Sequence, residues 1–300
     1  MILIAGSSGY VGEHLRGLLD SKNLEYVTIQ VKDKASLEAN RIYILRIREK
    51  YIELTAENLI KTLAELQIHS AVNLAADTSK LSAKKNREVL YQANIHYNYD
   101  LIEILIAAGV KNYHFITTYS SSTNGTSFSP QTFYAGMKYC AEKLIESYAA
   151  CDLINATIIE IYDVYGPSHH NDRYVNYCLD SIIKGSEIRT SEGWQEINLV
   201  FINDLVANIL TIVQNQLKEN SKLSHFSIYS RETYKVREIP EMIAKILHLP
   251  IESGKIMREL PTREKEIMKV TPRFPRPLGW IQDFSFEQGI KEVYKKLNLS

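Results

Sequence analysis

Cysteine is scarce in this sequence: Cys140, Cys151 and Cys178 are three in 300 residues, an odd number without the short spacings of a zinc knuckle or a redox pair. That excludes a disulfide-stapled secreted scaffold and points to a reducing compartment, the cytoplasm, with the three side chains expected to pack as small apolar groups. Long hydrophobic runs are missing as well. No stretch approaches the roughly 18 apolar residues needed to span a bilayer, and no cationic segment precedes the apolar start, so neither a membrane anchor nor a secretion signal is expected. Charge of one sign is not in excess, 35 Lys+Arg standing against 35 Asp+Glu, which removes the electrostatic footprint that nucleic acid or an anionic membrane requires. Repeats of solenoid period and low-complexity linkers are lacking too. What is present is 45% apolar residues in a chain long enough to bury a sizeable core.

The first five residues are an apolar run broken at once by Gly6-Ser-Ser-Gly9-Tyr-Val-Gly12, after which Leu15, Leu18 and Leu19 recur at helical spacing. Strand, tight turn and helix follow from that pattern. Tyr26 to Val31, Ile42 to Ile47 and Ser70 to Ala75 are further strands, and Thr55 is placed to cap a helix running through Leu66. A long helical pattern over Asn86 to Ala108 ends at Gly109. Asn112 to Thr117 is a strand, Phe133 to Ala150 a helix, and Ala156 to Ile161 another strand. This alternation forces parallel strands with helices on both faces: a doubly wound α/β sheet of Rossmann type over residues 1–166. Beyond Gly166-Pro167 the rhythm shortens, with helical patterns near Tyr174–Lys184, Asp204–Gln214, Arg237–Leu247 and Phe286–Leu297. Residues 167–300 are expected to form a smaller, mostly helical substrate lobe, some segments of which return to the sheet.

Gly6, Gly9 and Gly12 directly follow the first strand. In a nucleotide-binding turn such glycines make the bend, admit the pyrophosphate to the backbone and let helix pack on strand, whereas a plain helix-start turn has no need of three. Where an acidic residue would hold the ribose 2′-hydroxyl stands Gln30, with Lys32 and Lys34 just beyond. A missing carboxylate with adjacent lysines favours a 2′-phosphate, hence NADP, with NAD as the alternative; the other account of the lysines is a solvated loop. Tyr134 and Lys138 lie four apart at a helix start and share a face, so the ammonium is expected to lower the pKa of the phenol. Tyr139 and Lys143 have the same spacing but point about 140° away. The loop Thr117 to Ser122, at a strand end where ligands meet open α/β sheets, favours the first pair. Adjacent His169 and His170 read as loop histidines, and no metal is expected.

Taken together, Gly6-x-x-Gly9-x-x-Gly12, Asn73-Leu-Ala-Ala76, Thr117-Thr118, Tyr134-Ala-Gly-Met-Lys138, Asp163-Val-Tyr-Gly-Pro167, the run Gln195 to Asp204 and Pro277-Leu-Gly-Trp280 resemble the extended short-chain dehydrogenase/reductases of the nucleotide-sugar epimerase/dehydratase superfamily. The resemblance implies Thr118 as the hydroxyl that holds the substrate oxygen, Tyr134 as acid/base and Lys138 as the ribose-binding partner of the tyrosine. It implies a cofactor held by Gly6, Ser8, Gly9, Tyr10, Val11 and Gly12, by Gln30, Lys32, Lys34, Glu53 and Leu54, and by Leu74, Ala75, Ala76, Tyr162 and Val164. Asn94 matches a family asparagine with either a cofactor or a structural role. On the substrate side it suggests Tyr119, Ser120, Arg173 and Arg263, with Trp194 either lining the sugar pocket or packing in the core. A homodimer built from the helices 86–108 and 133–150 is also implied. Dehydratases of the superfamily follow the catalytic threonine with Asp-Glu, but here Tyr119-Ser120 follows, and only sixteen positions separate Thr118 from Tyr134. The pattern is similar to bacterial reductases of CDP-linked 4-keto-6-deoxyhexoses, of the CDP-abequose and CDP-paratose synthase type. The expected function is therefore NADP-dependent reduction of a nucleotide-activated 4-keto-6-deoxy sugar, in surface-polysaccharide synthesis. A 4-epimerase retaining NAD and a non-catalytic NADP-binding regulator are the alternatives.

Overall fold

A computed structural model describes residues 1–32, 41–78, 84–122, 125, 128–167, 173–219, 221–250, 256–258 and 269–297. In chain order the first half runs β1 (Ile2–Ala5), α1 (Tyr10–Ser21), β2 (Tyr26–Val31), β3 (Tyr43–Ile47), β4 (Lys50–Leu54), α2 (Ala56–Glu65), β5 (Ser70–Asn73), α3 (Lys84–Tyr91), α4 (Tyr97–Ala107) and β6 (Asn112–Thr118). There follow α5 (Phe133–Ala150), β7 (Asn155–Ile161), β8 (Asp163–Tyr165), α6 (Tyr174–Ile183), β9 (Ile188–Arg189), β10 (Glu196–Ile197), β11 (Leu199–Phe201), α7 (Ile202–Glu219), β12 (Leu223–Ile228), β13 (Tyr234–Lys235), α8 (Ile239–Leu247), β14 (Ile256–Met257) and α9 (Phe286–Leu297).

The main sheet has eight strands in the order β12-β7-β6-β5-β1-β2-β3-β4. Its six central and left-hand strands, β12 through β2, are parallel. Side chains alternate across β1: Leu3 and Ala5 join a core with Leu59, Leu63, Leu101 and Ile102 from α2 and α4, whereas Ile4 joins the opposite core with Leu15, Leu19, Leu205 and Ile209 from α1 and α7. Two buried faces on one strand are what helices on both sides of a sheet demand. The doubly wound architecture is thus present. A third core packs α6, α8 and α9 around Tyr165, Leu179, Ile243 and Ile290.

Several elements depart from the sequence expectation. The third strand is antiparallel to β2 and also to β4, with which it forms a hairpin because only Arg48 and Glu49 connect the two and so short a link cannot cross over. The helical pattern through Ala107 is interrupted by a π-helical segment, Gln92–His96. Its end is as expected: Gly109 sits at φ +77° and donates its N–H to Ile106 O. Helix α7 and strand β12 belong to the main sheet's layers. Cys140 and Cys151 are exposed rather than packed, and only Cys178 is buried, since the first two fall on the outer side and at the C-terminus of amphipathic α5. Among the described residues no helix is long and apolar enough to cross a membrane.

Candidate active site and cofactor cleft

The turn after β1 depends on two glycines for space. A Cβ at Gly6, whose φ is +77°, would stand 2.4 Å from Ala75 N, and one at Gly12 would stand 2.4 Å from Gly6 O. Gly9 differs: its Cβ would meet only Gly6 O, at 3.5 Å, so its outer side is open to a ligand. Gly9 caps α1 and accepts from Glu13 N at 2.9 Å, and the first-turn N–H groups of α1 are those that suit an anion.

Against this loop opens a cleft of about 340 Å³, lined by Gly6, Ser8, Gly9, Gln30, Leu74, Ala75 and Ala76 among the expected cofactor residues. Under its floor, Asn73 Nδ2 donates to Asn98 Oδ1 and to Tyr113 OH at 2.8 and 2.7 Å, while Asn73 Oδ1 accepts from Ala75 N at 2.9 Å. That buried amide pins the rim. The other expected contacts are disposed differently. Tyr10 turns its ring beneath the Arg173 guanidinium, 4.4 Å away, and Val11 packs in the core with α7. Asn94 is buried in the π-helical segment, donating to Asp77 O and Leu90 O at 3.1 and 3.0 Å. Lys32 Nζ is bonded to Glu53 Oε2 at 2.7 Å on the exposed side of the β2-β3-β4 edge, and Leu54 packs against the core. None of these three lines the cleft. Among the described residues the cation in its wall is Arg41, which sequence reasoning missed: buried, it bonds Asp100, Gln92 Oε1 at 3.1 Å and His96 Nδ1 at 2.8 Å. Lys34, Arg263, His169 and His170 lie outside the described residues.

Thr118 ends β6 and caps a single turn, so that its Oγ1 lies 2.9 Å from Ser120 Oγ. Tyr119 stacks on Tyr162 at 4.7 Å and donates to Asp163 Oδ2 at 2.7 Å. Helix α5 is capped by Thr132, whose hydroxyl accepts from Ala135 N at 3.1 Å, which sets Tyr134 on the first turn and Lys138 on the inner face. Lys138 is 2% exposed, with Nζ 4.0 Å from the Phe115 ring centre. The competing pair faces outward, Lys143 being tied to Glu146 at 2.8 Å. The electrostatics correct one expectation. Burial pushes the Tyr134 phenol up to about 12, and the charge that opposes this is Arg173. Burial also drives Lys138 down to about 7 against the pull of Glu142. In the folded chain desolvation therefore outweighs the lysine's expected acidifying effect.

Residues 2–228 match the NAD dependent epimerase/dehydratase family. The chain belongs to that family. It is accordingly a nicotinamide-dependent oxidoreductase of the extended short-chain dehydrogenase/reductase type. It is 27% identical over 248 residues to the CDP-abequose synthase of Yersinia pseudotuberculosis, covering 82% of this chain and 84% of that one. To the CDP-abequose synthase of Salmonella typhimurium it is 22% identical over 312 residues, covering 99% and 98%. Among solved structures, MoeE5 in complex with UDP-glucose and NAD superimposes with a TM-score of 0.79 at 19% identity, covering 100% of this chain and 99% of that one.

Beyond the loop after β6, the described residues expected to meet the substrate are Arg173 and Trp194. Arg173 caps α6 and donates to Val164 O at 3.1 Å. Tyr162 and Val164 are buried beneath it. Trp194 is not a core residue: it is 49% exposed, with the Arg237 guanidinium stacked on it at 3.7 Å. Asp163 is half-buried, and desolvation raises its pKa against the opposing effects of Tyr119 OH and Arg173. Among the described residues no group of His, Cys, Asp and Glu could hold a metal.

Proposed function

We propose that this enzyme is an NADP-dependent reductase of a nucleotide-activated 4-keto-6-deoxy sugar, serving surface-polysaccharide synthesis. The observation that carries the proposal is the row of hydroxyls after β6. Ser120 Oγ bonds Thr118 Oγ1, and Tyr119 turns away to Asp163, so neither position after Thr118 supplies the carboxylic acid and carboxylate that eliminating water requires. The likeness to two CDP-abequose synthases supports a CDP-linked ketone.

The cleft suits a dinucleotide, with the pyrophosphate on Gly9 and the start of α1 and the nicotinamide ribose on Lys138. When bound, the reduced nicotinamide supplies hydride to a ketone carbon. The chain's own part is to hold the ketone oxygen on Thr118 Oγ1 and to deliver a proton to it from Tyr134 Oη. A phenol whose pKa is held near 12 by burial remains protonated throughout the neutral range, as a proton donor must. Support for the 2′-phosphate comes from Gln30 in place of a carboxylate and from Arg41 in the cleft wall, in place of Lys32. Residues 167–300, apart from α7 and β12, are proposed as the substrate lobe. The homodimer is proposed on α3, α4 and α5, where Val89, Tyr91, Tyr99 and Phe133 are exposed; light scattering at micromolar concentration should return a dimer. Addition of CDP-4-keto-6-deoxyglucose should oxidise NADPH mole for mole. If this ketone and its dTDP- and GDP-linked counterparts consume none, while UDP-glucose and UDP-galactose interconvert without NADPH, the enzyme is an epimerase instead.

A further inference from the structure

One helical turn beyond Lys138 on the same face of α5 lies Glu142, which is fully buried. Its two carboxylate oxygens accept from Nη1 and Nη2 of Arg273, each at 2.9 Å, a parallel fork between residues 131 positions apart. The same guanidinium reaches β7, where Arg273 Nε donates to Glu160 Oε2 at 2.5 Å. Glu160 is also fully buried, and its other oxygen accepts from Ser227 Oγ on β12 at 2.8 Å and from Arg273 N at 3.3 Å. Phe274 N then donates to Ser227 Oγ at 3.2 Å, and Ser227 N to Pro275 O at 2.9 Å. A stretch near the end of the chain is thereby stitched to the back of the helix that carries Tyr134 and Lys138.

Two carboxylates buried with one guanidinium leave a net negative charge, and uncompensated charge in a dry interior is costly. The neighbouring cations are Lys143, whose Nζ lies 3.3 Å from a Glu142 oxygen at the rim, and the buried Lys138, one helical turn away on the same face of α5. Lys138 stands between Tyr134 and Glu142 at intervals of four residues along α5, with its Nζ against the Phe115 ring of β6. Glu142 faces Arg273 and Glu160 on one side.

We propose that Arg273 is a positioning residue of the reaction: by forking onto Glu142 it fixes that carboxylate behind Lys138 and so governs the charge of the lysine that meets the cofactor. The inference rests on the assignment of Lys138 to the nicotinamide ribose. Removing the carboxylate disfavours the ammonium, whereas removing the guanidinium leaves two carboxylates and favours it. The two halves of one ion pair must therefore shift the lysine in opposite directions, which a merely structural pair would not do.

NADPH and NADH affinities, read by fluorescence without sugar between pH 6 and 9, test this directly. In the wild type, affinity should fall as pH rises through the lysine's titration. Glu142→Gln should move that midpoint down by about 0.5–1 pH unit and Arg273→Gln should move it up by a similar amount, as expected for gain or loss of one nearby charge. Should Arg273→Gln not fold, the double variant Glu142→Gln/Arg273→Gln removes one charge of each sign, and its midpoint should fall between those of Glu142→Gln and the wild type. Wild-type binding that is flat with pH, or midpoints that stay fixed or move together while only thermal stability drops, would overturn the proposal. Because no sugar is present, the result is independent of whether the enzyme reduces a 4-keto sugar.

Discussion

Replacing Lys138 with Met tests the buried ammonium through stability alone. Methionine retains an unbranched stem to lie against Phe115, and Glu142 keeps its fork with Arg273, so the change removes the charge with little repacking. The folded lysine releases its proton near pH 7, whereas the unfolded chain keeps it to the ordinary value of 10.5. Between those limits the unfolded state binds the extra proton, so the wild type gains stability as pH rises and loses it as pH falls through 7. Each pH unit is worth about 1.4 kcal/mol. From pH 7 to pH 9 the wild type should therefore gain roughly 2–3 kcal/mol over Lys138→Met, and below pH 7 the difference should level off. Tyr134 does not confound this range, since its own shift is upward to about 12. Urea unfolding of both proteins at pH 6, 7, 8 and 9 gives the comparison. Midpoints that run parallel across the four pH values would refute the depressed lysine.

Tyr134→Phe keeps the ring and removes the proton donor, so turnover should fall by about 10²–10⁴ with cofactor affinity intact, while Tyr139→Phe on the outer face should change little; steady-state kinetics and fluorescence titration check both. Gly12→Ala should abolish cofactor binding because its Cβ would stand 2.4 Å from Gly6 O, whereas Gly17→Ala, with nothing within 4 Å, should be tolerated and raise helix stability slightly, as thermal melts and titration would show. Arg41→Gln should weaken NADPH by about 1–3 kcal/mol, the range of a charge-assisted bond, and leave NADH nearly unchanged. Lys32→Ala should spare both cofactors, because that ammonium meets Glu53 on the exposed sheet edge and does not line the cleft as Arg41 does; equal losses for NADPH and NADH in Arg41→Gln would dissociate Arg41 from the 2′-phosphate.

The parts of the site that were legible in the sequence are those whose geometry is local. Three glycines between a strand and a helix specify a turn, and the structure shows why two of them admit no side chain. A spacing of four puts Tyr134 and Lys138 on one face whatever the rest of the fold does. The edge hairpin was not legible in the same way. Strand β4, Lys-Tyr-Ile-Glu-Leu, is mostly exposed, so no buried face imprints an alternation on it. Without that strand, Glu53 has no visible reason to meet Lys32, and the lysine passes for a cofactor contact. Arg41 was missed for the converse reason, because an arginine that will be buried by contacts to residues 51 to 59 positions away carries no local mark.

The same limit explains the direction of the tyrosine's shift. Spacing establishes that an ammonium can lie near a phenol, but the sign of the net effect depends on how much water each has lost, and that is set by the whole fold. Down one face of α5 run a phenol, an ammonium and a carboxylate at intervals of four residues, the carboxylate closed off by a guanidinium from the end of the chain. At the Arg273 end every charge has a partner within hydrogen-bond distance. At the Tyr134 end the phenol is held protonated by burial, and the charge pulling the other way belongs to Arg173, the N-cap of α6. The phenol therefore sits where the ion-paired column ends, between the interior around Lys138 and the Arg173 guanidinium, so that replacing Arg173 removes the charge that opposes the effect of burial on Tyr134.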